Sequence, residues 1–243
     1  MDAIILGDGA LGRAIEAALR ARGDAVGVLG RPVGGRHSPG ALGDADVAID
    51  ASRGAAVAAN VEAVLAAGIR RIVIGATGWD GDRDRVEAML RDGEAAAVAA
   101  PNLSLGAALF FRLVDEATAL FGAVDAFDPF ILEWHRRSKR DRPSGTAREL
   151  ARRITARHPT ATVDGLEVAV VRAGSSPGMH LVGFDAPGET VELRLTARDR
   201  SAYAAGAVEA ADWLARATRP PGLHAFDPVV DELLARPLAA AST

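Results

Sequence analysis

The apolar positions follow two different rhythms along the chain. Residues 3 to 6, "AIIL", lead into "GDGALG" and then "RAIEAALRARG", where Ile15, Ala18, Leu19 and Arg22 recur at helical spacing before a glycine stop. Strand, turn and helix are therefore predicted in that order. "DAVGVLG" and "DVAIDAS" read as further strands, "AAVAANVEAVLAAG" as a helix, and "RIVIGATG" as a strand ending in a glycine turn. Strands that alternate with helices predict a parallel, doubly wound sheet. After "AAPNLSLG" the rhythm changes. Leu109, Phe110, Leu113, Val114, Ala117, Leu120 and Phe121 mark one long amphipathic helix, followed by a strand through "FILEW". From residue 165 the pattern is mostly strand: "LEVAVVRAG", "HLVGFDA" and "ETVELRLTAR". In the last of these Val191, Leu193, Leu195 and Ala197 alternate with polar neighbours, as on a sheet with one buried face. "AYAAGAVEAADWLARA" is helical again and is expected to pack back on the first domain, and residues 236–243 read as a loose tail.

The expected fold class is α/β. Residues 1–104 with 202–243 form a Rossmann-type parallel-sheet domain, and residues 105–201 form a smaller α+β domain with a mixed, largely open sheet. A chain of 243 residues can bury such cores without staples. The absence of cysteine excludes disulfides, thiolate zinc sites, iron–sulfur clusters and a cysteine nucleophile, and no metal is expected. No secretory leader pattern and no run of eighteen apolar residues is present, so the expectation is a soluble, cytoplasmic protein without a membrane partner.

Charge sharpens this picture at one place. The formal net charge is −4, yet "EWHRRSKRDRPSGTA" carries Arg136, Arg137, Lys139, Arg140 and Arg142 within seven positions. A general nucleic-acid surface does not suit an acidic chain lacking an aromatic platform, whereas a local basic run suits a small anion. The run ends at a helix start, with Ser144 or Thr146 as N-cap and Thr146 and Glu149 at capping-box spacing. Free N–H groups of Gly145 and Thr146 would then face an anion such as a carboxylate. His135 and Lys139 are the candidate proton donors: a histidine titrates near neutral pH, and a lysine among cations has its ammonium disfavoured. A solvated basic loop is the plainer alternative.

In "GDGALG", Gly7, Gly9 and Gly12 fit G-x-G-x-x-G, in which glycines permit the tight turn, the approach of a pyrophosphate and close helix packing. Their position between strand and helix raises a dinucleotide site above an ordinary glycine turn. About twenty residues on, where an NAD site places an acid for the ribose 2′-hydroxyl, "VGVLGRPVGGRH" offers Arg31, with Arg36 nearby, and no Asp or Glu. An arginine there suits a 2′-phosphate and favours NADPH over NADH, unless Arg31 is simply a solvated surface residue. The turns "GATG" (Gly75 to Gly78) and "APNLS" (Ala100 to Ser104) follow predicted strands and would face the same crevice.

"EWHRRSKRDRPSGTA" resembles the signature E-x-H-H-x-x-K-x-D-A-P-S-G-T-A of the 4-hydroxy-tetrahydrodipicolinate reductase (dihydrodipicolinate reductase) family of lysine and diaminopimelate biosynthesis. "APNLSLG", "VRAGSSPGMH" and "FDAPGETVEL" also look like that family, in its order. The resemblance implies His135 and Lys139 as catalytic residues, and Gly145 and Thr146 as donors to a substrate carboxylate, beside Ser144. It implies Gly7, Gly9 and Gly12, with Ala10 and Leu11 between them, as the dinucleotide turn. Gly75, Ala76, Thr77 and the segment Ala100, Pro101, Asn102 and Leu103 would lie near the nicotinamide. Arg136 stands where the family usually has a second histidine, Arg142 replaces an alanine, and the glycine turn is one residue shorter than the family's. The implied protein is a homotetrameric NADPH- or NADH-dependent reductase of a small cyclic dicarboxylate, bound in a cleft between domains. A related dehydrogenase acting on an amino acid, such as aspartate or a diamino acid, is the alternative, and a non-catalytic dinucleotide sensor is a further one.

Overall fold

Parallel strands dominate the first part of the chain because their residues are apolar on both faces. In β1 (Asp2–Leu6) all but the first residue are buried, as in a sheet covered on both sides. The computed structural model describes residues 1–32, 35–162 and 164–236, so most of the expected tail lies outside the described residues. After β1 come α1 (Ala10–Arg22), β2 (Ala25–Leu29), β3 (Val47–Asp50), α2 (Val57–Ala66), β4 (Arg71–Ile74), α3 (Arg83–Asp92) and β5 (Ala96–Ala99). They are followed by α4 (Leu105–Phe121), β6 (Asp128–His135), α5 (Gly145–Arg157), β7 (Glu167–Arg172), β8 (Gly178–Ala186) and β9 (Glu189–Ala197). The chain continues through α6 (Ser201–Arg216), β10 (Gly222–His224) and α7 (Asp227–Leu234). Two compact units result: Met1–Leu105 together with the chain from Arg200 onward, and Gly106–Asp199.

In the first unit, six strands among the described residues lie in the order β10-β5-β4-β3-β1-β2, all paired in parallel. Ile4, Leu6, Ile72 and Ile74 pack one face against Val57, Val61 and Val64 of α2 and Val86 and Leu90 of α3. The alternate residues Ile5, Ile49 and Val73 are fully buried on the opposite face. Helices α1 and α6 pack together, and α6 reaches β3, β4 and β5, so the last long helix does return to the first sheet. Register then fixes the site: Leu29, Leu6, Asp50, Ile74 and Ala99 stand in one row across β2, β1, β3, β4 and β5. Every loop that leaves from this row starts at the same edge, and β1 is where the strand order switches direction.

In the second unit the described strands form a mixed sheet, β7-β6-β8-β9, with β6 and β7 parallel and the other pairs antiparallel. Phe110 and Val114 of α4 and Ala147, Leu150 and Ile154 of α5 cover Ile131, Val182 and Phe184 on its inner face. The α4 stripe read from the sequence is wider than this core. Leu109, Leu113 and Leu120 are 38%, 59% and 70% exposed, because the sheet receives only the side of the helix that carries Phe110 and Val114. Along β6 the inner positions are Ile131, Glu133 and His135, so an apolar core passes into a charged cluster within one strand.

Candidate active site

The edge of the first sheet is shaped by side chains that are missing. Gly7 donates its N–H to the Leu29 carbonyl at 2.7 Å, tying the turn to the end of β2. Its φ of 118° lies where L side chains rarely go. A Cβ at Gly12 would lie 1.9 Å from the Gly7 carbonyl oxygen, whereas one at Gly9 would meet nothing within 4 Å. The turn is therefore closed on its inner side and open at Gly9. Gly9 is the N-cap of α1 and no side chain caps that helix, which leaves the first N–H groups of Ala10, Leu11 and Gly12 available to an anion. This backbone fits a pyrophosphate. The other predicted loops converge on it: a Cβ at Gly75 would lie 3.3 Å from Leu11 Cδ2 and 3.6 Å from Leu103 Cδ1. Ala76 is buried beside Thr77, and in the turn beginning Ala100–Pro101 the Asn102 side chain accepts from Ser104 N–H at 2.9 Å. Arg31 is exposed just past the end of β2. Arg36 pairs with Glu62 at 3.1 Å.

The second unit gathers charge instead. Glu133 is fully buried. Its Oε1 accepts from Arg172 Nη2 at 2.6 Å, and the Ser144 backbone N–H donates to the same carboxylate at 3.0 Å. Its other oxygen lies 3.5 Å from His135 Nδ1 and 3.6 Å from His180 Nε2. Burial pushes Glu133 up, but the nearby His180 ring and the hydrogen bonds from Ser144 and Arg172 outweigh it and hold the carboxyl well below the usual range. Arg172 Nη2 also donates to the Asp141 carbonyl at 2.6 Å. One ionised carboxylate thus joins β6, β7, β8 and the start of α5.

Ser144 is the N-cap of α5. Its hydroxyl accepts from Ala147 N–H at 3.1 Å and sits 3.0 Å from His180 Nε2. Thr146 lies inside the helix, and the expected capping box is absent because Glu149 pairs with Arg152 and Arg153, both at 2.7 Å. Gly145 and Thr146 form the first turn, with Gly145 exposed. Lys139 Nζ meets Asp141 Oδ1 at 2.8 Å, a carboxylate rather than only the neighbouring cations. Arg136 is exposed, and its Nε bonds Ser138 at 3.2 Å. His135 departs from the expected titration near neutrality. Its burial, with the neighbouring charge of His180, lowers it to about 4, so the ring is neutral at pH 7. His135 and His180 meet edge to face with centroids 5.0 Å apart.

Glu133, His135 and His180 have ligand atoms within 4.8 Å of one another, a spacing open to a metal ion. The donor set does not fit one: the Arg172 guanidinium and the Ser144 N–H already occupy the carboxylate, and a cation would have to displace them. Glu133, Arg172 and His180 were not singled out from the sequence. The available signal was spacing, since Glu133 precedes His135 by two and shares its strand face. Arg172 and His180 both fall in "VRAGSSPGMH".

A parallel sheet with a bare glycine turn at its switch point defines the Rossmann-type class of dinucleotide-binding proteins. Profiles for the N-terminal and C-terminal parts of dihydrodipicolinate reductase match residues 2–103 and 106–230. The chain is 34% identical to a 4-hydroxy-tetrahydrodipicolinate reductase of Methanococcoides burtonii over 197 residues, 76% of this chain and 73% of that protein. It is 36% identical to one of Myxococcus xanthus, over 74% of this chain and 70% of that protein. A solved dipicolinate-bound dihydrodipicolinate reductase from Paenisporosarcina shares the fold, with a TM-score of 0.73 at 21% identity, covering 93% and 97% of the two chains. The chain belongs to the dihydrodipicolinate reductase family.

Proposed function

We propose that this chain reduces 4-hydroxy-tetrahydrodipicolinate, by way of dihydrodipicolinate, to tetrahydrodipicolinate in lysine and diaminopimelate synthesis. The observation that carries the reading is the family match across both units, residues 2–103 and 106–230. The enzyme is an NAD(P)H-dependent oxidoreductase, and the exposed Arg31 beyond β2 supports NADPH as its first cofactor. When bound, the reduced nicotinamide supplies a hydride to the electron-poor ring carbon. The turn from Gly7 to Gly12 holds the pyrophosphate on backbone N–H groups, and the loops at Gly75 to Thr77 and Ala100 to Leu103 line the nicotinamide.

In the second unit Gly145 and Thr146 N–H groups, with the positive end of α5, hold one substrate carboxylate, and the exposed Arg136 grips the other with its terminal guanidinium nitrogens. Glu133 keeps that helix start in position through Ser144. Lys139 delivers the proton to the ring nitrogen as negative charge develops there. His135, neutral at pH 7, orients the substrate by hydrogen bonding. The half-buried Phe130 and Leu132 and the 39% exposed Trp134, on the outer face of β6, support self-association into a cytoplasmic homotetramer.

The direct test follows NADPH and NADH oxidation with substrate freshly generated from pyruvate and aspartate semialdehyde by the preceding synthase. Rapid, enzyme-dependent oxidation is expected, and Lys139→Ala should lower turnover about a hundredfold, more than His135→Ala. Binding of both cofactors without oxidation would overturn the substrate assignment.

A further inference from the structure

Within the glycine turn, Asp8 is the residue whose side chain phosphate binding does not explain. A carboxylate beside a pyrophosphate repels it unless it is directed elsewhere. Here it is directed toward β2. A Cβ at Gly30 would lie 3.2 Å from Asp8 Oδ2 and 3.8 Å from Oδ1, so the carboxylate leans across the first residue beyond that strand. The Gly7 N–H bond to Leu29 holds the turn against this strand end. Asp8 does not cap α1, whose N-cap is Gly9 without a side-chain bond. It is exposed, and among the described residues no ion pair takes it up.

The end of β2 is where an NAD site carries an acid for the ribose 2′-hydroxyl, and this chain has Gly30 there. A side chain at residue 30 would crowd the space that the Asp8 carboxylate fills from the other side. We propose that Asp8 accepts the 2′-hydroxyl of the adenosine ribose, replacing from the glycine turn the acid that β2 lacks. This rests on the nucleotide reading of the first unit. Asp8 then favours NADH and repels a 2′-phosphate, while Arg31 attracts it, and the ratio of the two affinities is set by these two side chains. Glycine at residue 30 leaves room for the arrangement.

The test is equilibrium binding of NADH and of NADPH, read by nicotinamide fluorescence, to the wild type, Asp8→Asn and Arg31→Ala. Asp8→Asn keeps the size of the side chain and should weaken NADH about tenfold while NADPH binds as well or better. Arg31→Ala should move the ratio the other way. Returning the carboxylate from β2 in the double variant Asp8→Ala, Gly30→Asp should recover NADH binding lost in Asp8→Ala. An unchanged ratio in Asp8→Asn, or equal weakening of both cofactors, overturns the role of Asp8 while leaving the dinucleotide site intact. Failure of the wild type to bind either cofactor would overturn the nucleotide reading and this inference together.

Discussion

The two units build their sites from opposite materials. In the first, the chain makes room: Gly7, Gly12 and Gly206 bring backbone so close that a single Cβ would collide with a carbonyl oxygen. In the second, the chain fills a core with charge: Glu133 and Arg172 are both fully shielded as side chains and hold each other at 2.6 Å. At these three glycines the first unit has no space for an added atom, and the second unit has no spare partner for a removed one. A steric surplus can relax by small shifts of backbone, but a buried charge that loses its counterion has nowhere to go. The second unit is therefore the more sensitive to a single change.

Arg172→Met strips Glu133 of its counterion and should cost about 3–5 kcal/mol, measured by denaturant unfolding, while nucleotide binding by the first unit persists. Adding Glu133→Gln should restore part of that loss, and a double variant as unstable as the single one would break the contrast. Acid acts on the same cluster. With His135 at about 4, against 6.5 in the unfolded chain, its neutral form stabilises the fold above pH 6.5. That stability, on the order of 3 kcal/mol, falls away as the pH drops from 6.5 toward 4. Glu133, also held low, adds to the loss below the ordinary carboxylate range. Across this window the unfolding free energy of the wild type should fall more steeply with decreasing pH than that of His135→Gln, and equal slopes would show that His135 is not held low. In the first unit, Gly206→Ala puts a Cβ 1.6 Å from the Leu103 carbonyl oxygen and should cost about 1–3 kcal/mol, with weaker cofactor binding. The smallest effect sharpens the cap: Ser144→Ala should cost about 1 kcal/mol, whereas Thr146→Ala, inside the helix, should cost no stability.

The sheet and the glycine turn were legible because each demand there admits few residues. A strand covered on both faces must be apolar throughout, as in Ala3 to Leu6, and a close backbone approach leaves only glycine. The three-residue β10 offers no period to read. At α5 two hydroxyls stood two residues apart, and only the geometry of Ser144 and Ala147 distinguishes them. The charged cluster was illegible for another reason. Arg172 lies 39 residues from Glu133, and His180 becomes its neighbour only through the antiparallel register of β6 and β8. Burial, which sets the titration of His135, is likewise a property of the folded sheet and not of "EWH". Lys139 reads as one cation among several until Asp141 closes on it.

The contact of Gly206 with Leu103 also orders events during synthesis. The loop after β5 is finished by a helix that leaves the ribosome roughly a hundred residues later, after the whole of the second unit has emerged. The second unit is thus synthesised whole before the first can close, and a nascent chain interrupted between the two lacks the helix that packs on β3, β4 and β5.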